Sequence, residues 1–346
     1  MRVAVLGAGV IGKLRCDTVM DNSRTDLVAV VDVDEGRARA AAARSGARAL
    51  TDFTEAVRER DVDAVVVSSP VHLHEEMCLA AFEAGAHVLC EKPLSNSLAS
   101  CRRIRDAARS AGVVLATGFN HRYYPSVKYL TDVLERGTIG TVDHLRVFGG
   151  HDGQGSFRQD WMYKGELSGG GAMMDVGIHM TDLVHHVAGR IVEVSGIATR
   201  GVWKVEGSED NAMAVMRTER GVPVTFQATW TEWKGYRIFL EAYGDRGMVR
   251  AYYAPMFNQL ITQEKPGAGR KRSFRFYPEI ILREKLRGWE TTTRQSFVEE
   301  LDDFLGMIGG ASVRLADGDA GVHAVEVAEA VYRSTRERRT VTLPLD

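Results

Sequence analysis

Cysteine is scarce in this chain of 346 residues: four in all (Cys16, Cys78, Cys90, Cys101), far apart and with no CxxC pair. That spacing supports neither a disulfide framework nor a zinc ribbon and predicts the reduced thiols of a cytosolic protein. An excess of either charge is also missing. With 44 basic and 46 acidic residues the formal net charge is −2, which gives no reason to expect nucleic acid or an anionic membrane, since both select a basic face. No apolar run approaches the ~18 residues of a membrane span. Met1-Arg2 lead at once into a strand-like run, which predicts no signal peptide and a cytoplasmic protein. Internal repeats are absent, and the only biased stretch, 265–275, is rich in Gly and basic residues and reads as a solvated loop. What is left is an ordinary globular composition, 45% hydrophobic and 26% charged, long enough for two domains.

The first third alternates short apolar, β-branched runs (3–6, 27–31, 64–67, 87–89, 113–116) with helix-like segments (11–20, 35–44, 54–60, 74–83, 98–110). Such alternation predicts right-handed βαβ units and a parallel sheet covered on both faces, with ligands at the carboxyl ends of the strands. Beyond Gly118 the pattern changes. A helix is expected over 126–136, then mostly strands (144–148, 212–217, 224–230, 239–243, 248–253) separated by turn residues, as antiparallel hairpins require. Helices are expected over 173–187, 296–307 and 320–336, and a last strand over 340–343. The expected organisation is a Rossmann dinucleotide-binding domain, 1–120, followed by an α+β domain, 121–346, with a large, mostly antiparallel open sheet.

Gly7-Ala8-Gly9-Val10-Ile11-Gly12 directly follows the first strand and opens a helix, the context in which GxGxxG signifies a dinucleotide site. Gly7 permits the tight turn, Gly9 lets the backbone approach a pyrophosphate, and Gly12 allows close helix–strand packing. The helix start, with Val10 and Ile11, offers amides to the phosphates. Asp32 ends the second strand, where a carboxylate accepts bonds from a ribose diol and repels a 2′-phosphate, so NAD is expected over NADP. Asp175 and His179 stand four apart on the expected helix and so share a face. The glycines before them leave the helix entrance free of side chains, where a nicotinamide ring could approach. Asp182 and His186 prolong that face into a D-x3-H-x2-D-x3-H pattern that could hold a metal; capping or interface roles are the simpler reading, and no metal is expected.

The chain resembles the Gfo/Idh/MocA oxidoreductases, which include glucose-fructose oxidoreductase and inositol dehydrogenase. The resemblance rests on the opening fingerprint, Ser69-Pro70-Val71-His72-Leu73-His74, Ala84-Gly85-Ala86-His87-Val88, Glu91-Lys92-Pro93, Gly169-Gly170-Gly171-Ala172, Asp175-Val176-Gly177-Ile178-His179 and the final Thr340-Val341. It implies that Ser69, Pro70, His74, Glu91 and Lys92 adjoin the cofactor, and that Lys92 reaches the reacting hydroxyl before a Pro93 that is often cis. It implies too that Asp175 and His179 serve beside that lysine, with no metal, and that copies pair through the second domain's sheet as a dimer or tetramer. Asn120, His121, Arg122 and Tyr123 follow the strand expected over 113–116; Arg122 and Tyr123, with Trp161 and Lys164, are expected to line the substrate pocket.

The expected reaction interconverts a secondary hydroxyl and a ketone on a sugar, cyclitol or related derivative, with hydride passing to the nicotinamide. A free His titrates near ~6.5 and a free Lys near ~10.4, so His179 is the better-matched base, Asp175 its orienting partner, and Lys92 the group that polarises the oxygen. A Lys92 depressed by burial could instead be the base. Two alternatives stand beside this reading: an NAD-dependent glycoside hydrolase working by transient oxidation and elimination, and a non-catalytic dinucleotide- or sugar-sensing module.

Overall fold

The computed structural model describes residues 1–57, 62–153, 159–265 and 267–346. Their contacts separate two units: Met1–Asn120 with Glu290–Val325, and His121–Trp289 with Glu326–Asp346. The first is built on a parallel sheet of β1 (Arg2–Leu6), β2 (Asp26–Val31), β3 (Arg48–Leu50), β4 (Ala64–Val67), β5 (His87–Glu91) and β6 (Leu115–Gly118). The strands lie in the order β6-β5-β4-β1-β2-β3, and between them run α1 (Val10–Asp21), α2 (Glu35–Ala42), α3 (Phe53–Val57), α4 (His74–Glu83) and α5 (Leu98–Ala111). Val3 to Leu6 and all of β4 are buried, which is why these strands read as unbroken apolar runs: both faces are covered. The helix expected over 54–60 begins as α3, and its last residues lie outside the described residues.

Sequence reading assigned everything after residue 120 to the second domain. The structure returns Glu290–Val325 to the first, and the reason is a buried charge. Arg15 on α1 lies 2% exposed with its guanidinium 3.6 Å over the Phe297 ring. It meets Glu91 and Glu300 at 2.6 Å each, and Glu300 comes from the long helix Glu290–Ile308. A buried guanidinium requires such partners, so this helix packs against α1. Further on, Ala316 pairs antiparallel with Thr117 on β6, and a Cβ at Gly321 would lie 2.3 Å from Thr117 Oγ1.

The second unit holds β7 (Val142–Gly150), β8 (Ile191–Thr199), β9 (Asn211–Thr218), β10 (Pro223–Thr229), β11 (Arg237–Gly244), β12 (Gly247–Tyr253), β13 (Phe257–Thr262) and β14 (Lys271–Phe276). They form one sheet in the order β14-β13-β12-β11-β7-β10-β9-β8, with Val341–Thr342 added beside β8. Pairing is antiparallel except between β7 and β10. Alternation is clear on β9, where Ala212, Ala214 and Met216 are buried while Met213, Val215 and Arg217 are exposed, as expected of a sheet covered on one face. The covered face meets α6 (Pro125–Glu135), a π-helical turn Met173–Gly177 and α8 (Ile178–Ala188) that continues it. Gly149 makes room for them, since a Cβ there would lie 2.8 Å from Val176 and 2.9 Å from Met180. The stretch 265–275 is not all loop: β14 occupies Lys271–Phe276 as an edge strand with every residue exposed, so its charges are solvated as expected. Pro266 lies outside the described residues.

Candidate active site

In the first unit the carboxyl ends of β1, β2, β4 and β5 carry the residues singled out for the cofactor. Gly7 has φ +99°, and a Cβ there would lie 2.6 Å from Ser68 O; one at Gly12 would lie 1.9 Å from Gly7 O. Backbone therefore fills both positions, and the turn admits no side chain. Gly9 caps α1 without any side-chain acceptor for the first-turn amides, so Val10 and Ile11 open a helix whose amides suit an anionic group. Asp32 Oδ2 accepts from Ala8 N at 2.8 Å, tying the end of β2 to the glycine turn. Its Oδ1 accepts from Asp34 N and, bidentately, from Arg37 at 3.1 and 2.8 Å. Burial pushes the Asp32 carboxyl up, but the amides of Asp34 and Ala8 and the Arg37 guanidinium outweigh it and hold it below its ordinary value. Arg37, three residues past the acidic cap Asp34 of α2, is a residue that sequence reading missed.

His74 is buried at the start of α4, its Nε2 3.0 Å from Ser69 O and its Nδ1 3.0 Å from Pro93 O. It joins the segments after β4 and β5, and burial pushes its pKa down. Ser69 and Pro70, half-buried, form the first of those segments. Glu91 turns out to be an anchor: its Oε1 accepts from Arg15 Nε at 2.8 Å, and its Oε2 from the Lys92 amide at 3.3 Å. Lys92 is half-buried, and its peptide bond to Pro93 is cis.

The second unit gathers a cluster of rings around Asp175 and His179. Asp175 Oδ2 accepts from Trp230 Nε1 at 3.0 Å and lies 2.9 Å from His151 Nε2. His151 Nδ1 accepts from Gly153 N at 3.0 Å, so the proton of the neutral ring sits on Nε2 and points at the carboxylate. His179, 7% exposed, stacks on His121 with centroids 3.8 Å apart, and the Tyr236 hydroxyl lies 3.2 Å from His121 Nε2. Trp230 and His151 thus hold Asp175, and the His179 ring stacks on His121. Asp175 belongs to a π-helical turn that leads into the helix of His179. Sequence reading gave His121 no role and missed His151 and Tyr236; their spacing from Asp175 carries no periodic signal.

The remaining expected pocket residues fall variously. Arg122 is buried and bidentate to Asp182 of α8, at 2.8 and 2.5 Å, so its guanidinium anchors the turn that bears His121. Tyr123 is 3% exposed. Trp161 is half-buried, with Nε1 donating to Gln159, and Lys164 is exposed. The glycine run does not open the helix entrance as expected. A Cβ at Gly171 would lie 2.0 Å from Glu209 O, and one at Gly170 2.0 Å from the Tyr332 hydroxyl; protein fills that space.

A turn that admits no side chain, leading into a helix whose first amides have no side-chain cap, is what a dinucleotide pyrophosphate needs, and the class so defined is that of the nicotinamide-dependent oxidoreductases. Comparison with known proteins agrees with it. The family described as "Oxidoreductase family, NAD-binding Rossmann fold" matches residues 1–119, and the "GFO/IDH/MocA C-terminal domain" matches residues 127–250. The chain belongs to the GFO/IDH/MocA family of oxidoreductases. It is 28% identical to the myo-inositol 2-dehydrogenase of Thermotoga maritima, over 99% of this chain and 98% of that protein. It is 31% identical to inositol 2-dehydrogenase 2 of Saccharopolyspora erythraea, over 84% of each. Among solved structures, levoglucosan dehydrogenase in complex with NADH superposes with a TM-score of 0.87 over 99% of each chain at 22% identity. That likeness is one of fold.

Proposed function

We propose that this chain is an NAD-dependent dehydrogenase interconverting a secondary hydroxyl and a ketone on a sugar, a cyclitol or a close derivative. One observation carries the reading: a carboxylate and an imidazole, each immobilised by neighbouring rings, in a chain aligned along almost its whole length with a myo-inositol 2-dehydrogenase. When bound, NAD supplies the nicotinamide that accepts or returns the hydride. The glycine turn with Val10 and Ile11 holds the pyrophosphate, Asp32 takes the adenosine ribose, and Ser69, Pro70 and His74 shape the adjoining wall.

The chain's own residues manage the hydroxyl and its proton. His179 accepts the proton as the carbinol is oxidised, while Asp175, fixed through Oδ2, accepts a hydrogen bond from the substrate and sets its orientation. Lys92 donates to the reacting oxygen and stabilises alkoxide character, with Glu91 anchoring its backbone. Tyr123, Trp161 and Lys164 bound the substrate, and Arg122 supports the turn of His121. We further propose a cytoplasmic homodimer or homotetramer; the buried thiols of Cys16, Cys78, Cys90 and Cys101 suit a reducing compartment. No helix among the described residues is long and apolar enough to cross a membrane. The test is a screen of myo-inositol, levoglucosan and simple glycosides with NAD and with NADP, followed by NADH absorbance. Turnover of a polyol with NAD is expected; absence of turnover across the panel would overturn the reading.

A further inference from the structure

We propose that Glu209 is a positioning residue for the reaction, holding the π-helical turn that carries Asp175 and leads into the helix of His179. The inference rests on the proposed dehydrogenase reading and adds to it a residue outside the expected set. Glu209 lies two residues before β9 and is buried at 7% exposure. It binds three successive amides at the head of the turn: Gly171 N to Oε2 at 2.9 Å, Met173 N to Oε1 at 2.6 Å, and Ala172 N to its backbone carbonyl at 3.0 Å. A helix start leaves such amides without intrahelical acceptors. Here one residue, remote in sequence, takes three of them and places a carboxylate where the helix dipole favours negative charge.

The glycine run is the counterpart of this clamp. With a Cβ at Gly171 2.0 Å from Glu209 O, only glycine lets the turn close onto Glu209, and Gly170 (φ +149°) likewise makes way for the buried Tyr332 hydroxyl. The next residue fixes the other side of the same carboxylate. Asp210 O accepts from Trp230 N at 2.7 Å, and Trp230 Nε1 donates to Asp175. The Asp210 carboxylate in turn accepts from Gly201 N and Val202 N at 2.7 and 2.6 Å. The Glu209-Asp210 pair therefore sets both the turn that bears Asp175 and the indole that binds it. Burial pushes the Glu209 carboxyl up, against the lowering effect of the Met173 and Gly171 amides and the Tyr332 hydroxyl; the position suits a group whose work is geometric.

The experiment uses the full-length protein and Glu209→Gln, which keeps the side chain's size but turns an NH2 toward one of the amides. Glu209→Gln should lower kcat on the order of 10- to 100-fold, the usual consequence of displacing reacting groups by about an ångström. NAD affinity by protein fluorescence should be unchanged, and the apparent pKa on the acidic limb of the pH–rate profile for oxidation, where the rate rises as the base loses its proton, should move. Hydrogen–deuterium exchange should quicken over 171–177. A variant whose kcat and acidic limb match wild type while its Tm alone falls would reduce Glu209 to a stabilising cap and overturn the proposal. Should wild-type protein turn over neither myo-inositol nor levoglucosan, the dehydrogenase reading fails on its own. Exchange then decides the clamp: unchanged protection over 171–177 in Glu209→Gln overturns it as well.

Discussion

At the scale of single residues, Asp32 does more than its place at the end of β2 suggests. Its two oxygens bind the glycine turn through Ala8 N and the guanidinium of Arg37. Asp32→Ser should therefore weaken NAD by loosening the turn and removing the diol acceptor, on the order of 1.5–3 kcal/mol. It should also free Arg37 for a 2′-phosphate, so the NAD-to-NADP affinity ratio narrows; titration of both cofactors in which that ratio held would sink the assignment. The carboxyl also has a pH signature. Its folded value lies below its ordinary one, near ~3.9 for a free aspartate, so its contribution to stability is complete above that pH and is lost as pH falls through the folded value. Asp32→Asn should be less stable than wild type at about pH 7 and approach it as pH falls below the free aspartate's ~3.9 and through the folded value, in urea denaturation. The proton relay is separable in the same way. His179→Ala should lower kcat ~10²–10⁴-fold and abolish the acidic limb, whereas Lys92→Met should impair turnover and keep the limb. The opposite pattern transfers the base to the lysine. Gly7, Asp32 and Lys92 were legible because each follows or ends a strand with a local motif, and Gly12 because the motif of Gly7 runs on into α1. Arg37, His151 and Tyr236 were not, because only the fold brings them to their partners.

At the scale of elements, the strands that could be read were those with a face or two of β-branched residues, such as β1 and β4. Those passed over were short or polar: β3 has three residues, β8 carries Glu193, Ser195 and Gly196, and β14 is exposed along its length. Periodicity located the helix bearing Asp175 and His179 but not its opening π-helical turn, which looks like an α-helix in sequence. The helix Glu290–Ile308 was found and given to the wrong unit, since the Arg15 contact that docks it leaves no pattern in its own sequence. That contact makes a firm prediction. Arg15→Met strands the buried Glu300 carboxylate, which breaking a buried pair places at about 3–5 kcal/mol. Thermal unfolding should show a large loss of Tm, and Glu300→Gln should show a smaller one because Glu91 still faces the guanidinium. Equal, negligible shifts would mean that the helix is held by its apolar contacts alone.

At the scale of the whole molecule, the open face of the second unit's sheet is the feature to explain. Along β10, Thr225 and Gln227 turn to the open face, while Val224 and Phe226 are buried. The exposed apolar residues lie beside it, with Ile197 on β8 paired to Met213 on β9, and Val215 two positions on, at 62%, 46% and 59% exposure. Neighbouring apolar side chains on one exposed sheet face mark a surface that associates. A second copy of the same face would meet it symmetrically, as in an isologous dimer. Light scattering at micromolar concentration should give a multiple of 38.1 kDa. Because Ile197 and Val215 make no core contact from that face, Ile197→Asp with Val215→Asp should lower the mass toward one chain without unfolding the protein, as followed by circular dichroism. A wild-type mass near 38.1 kDa, or an oligomer indifferent to both charges, would show that copies do not pair through this face.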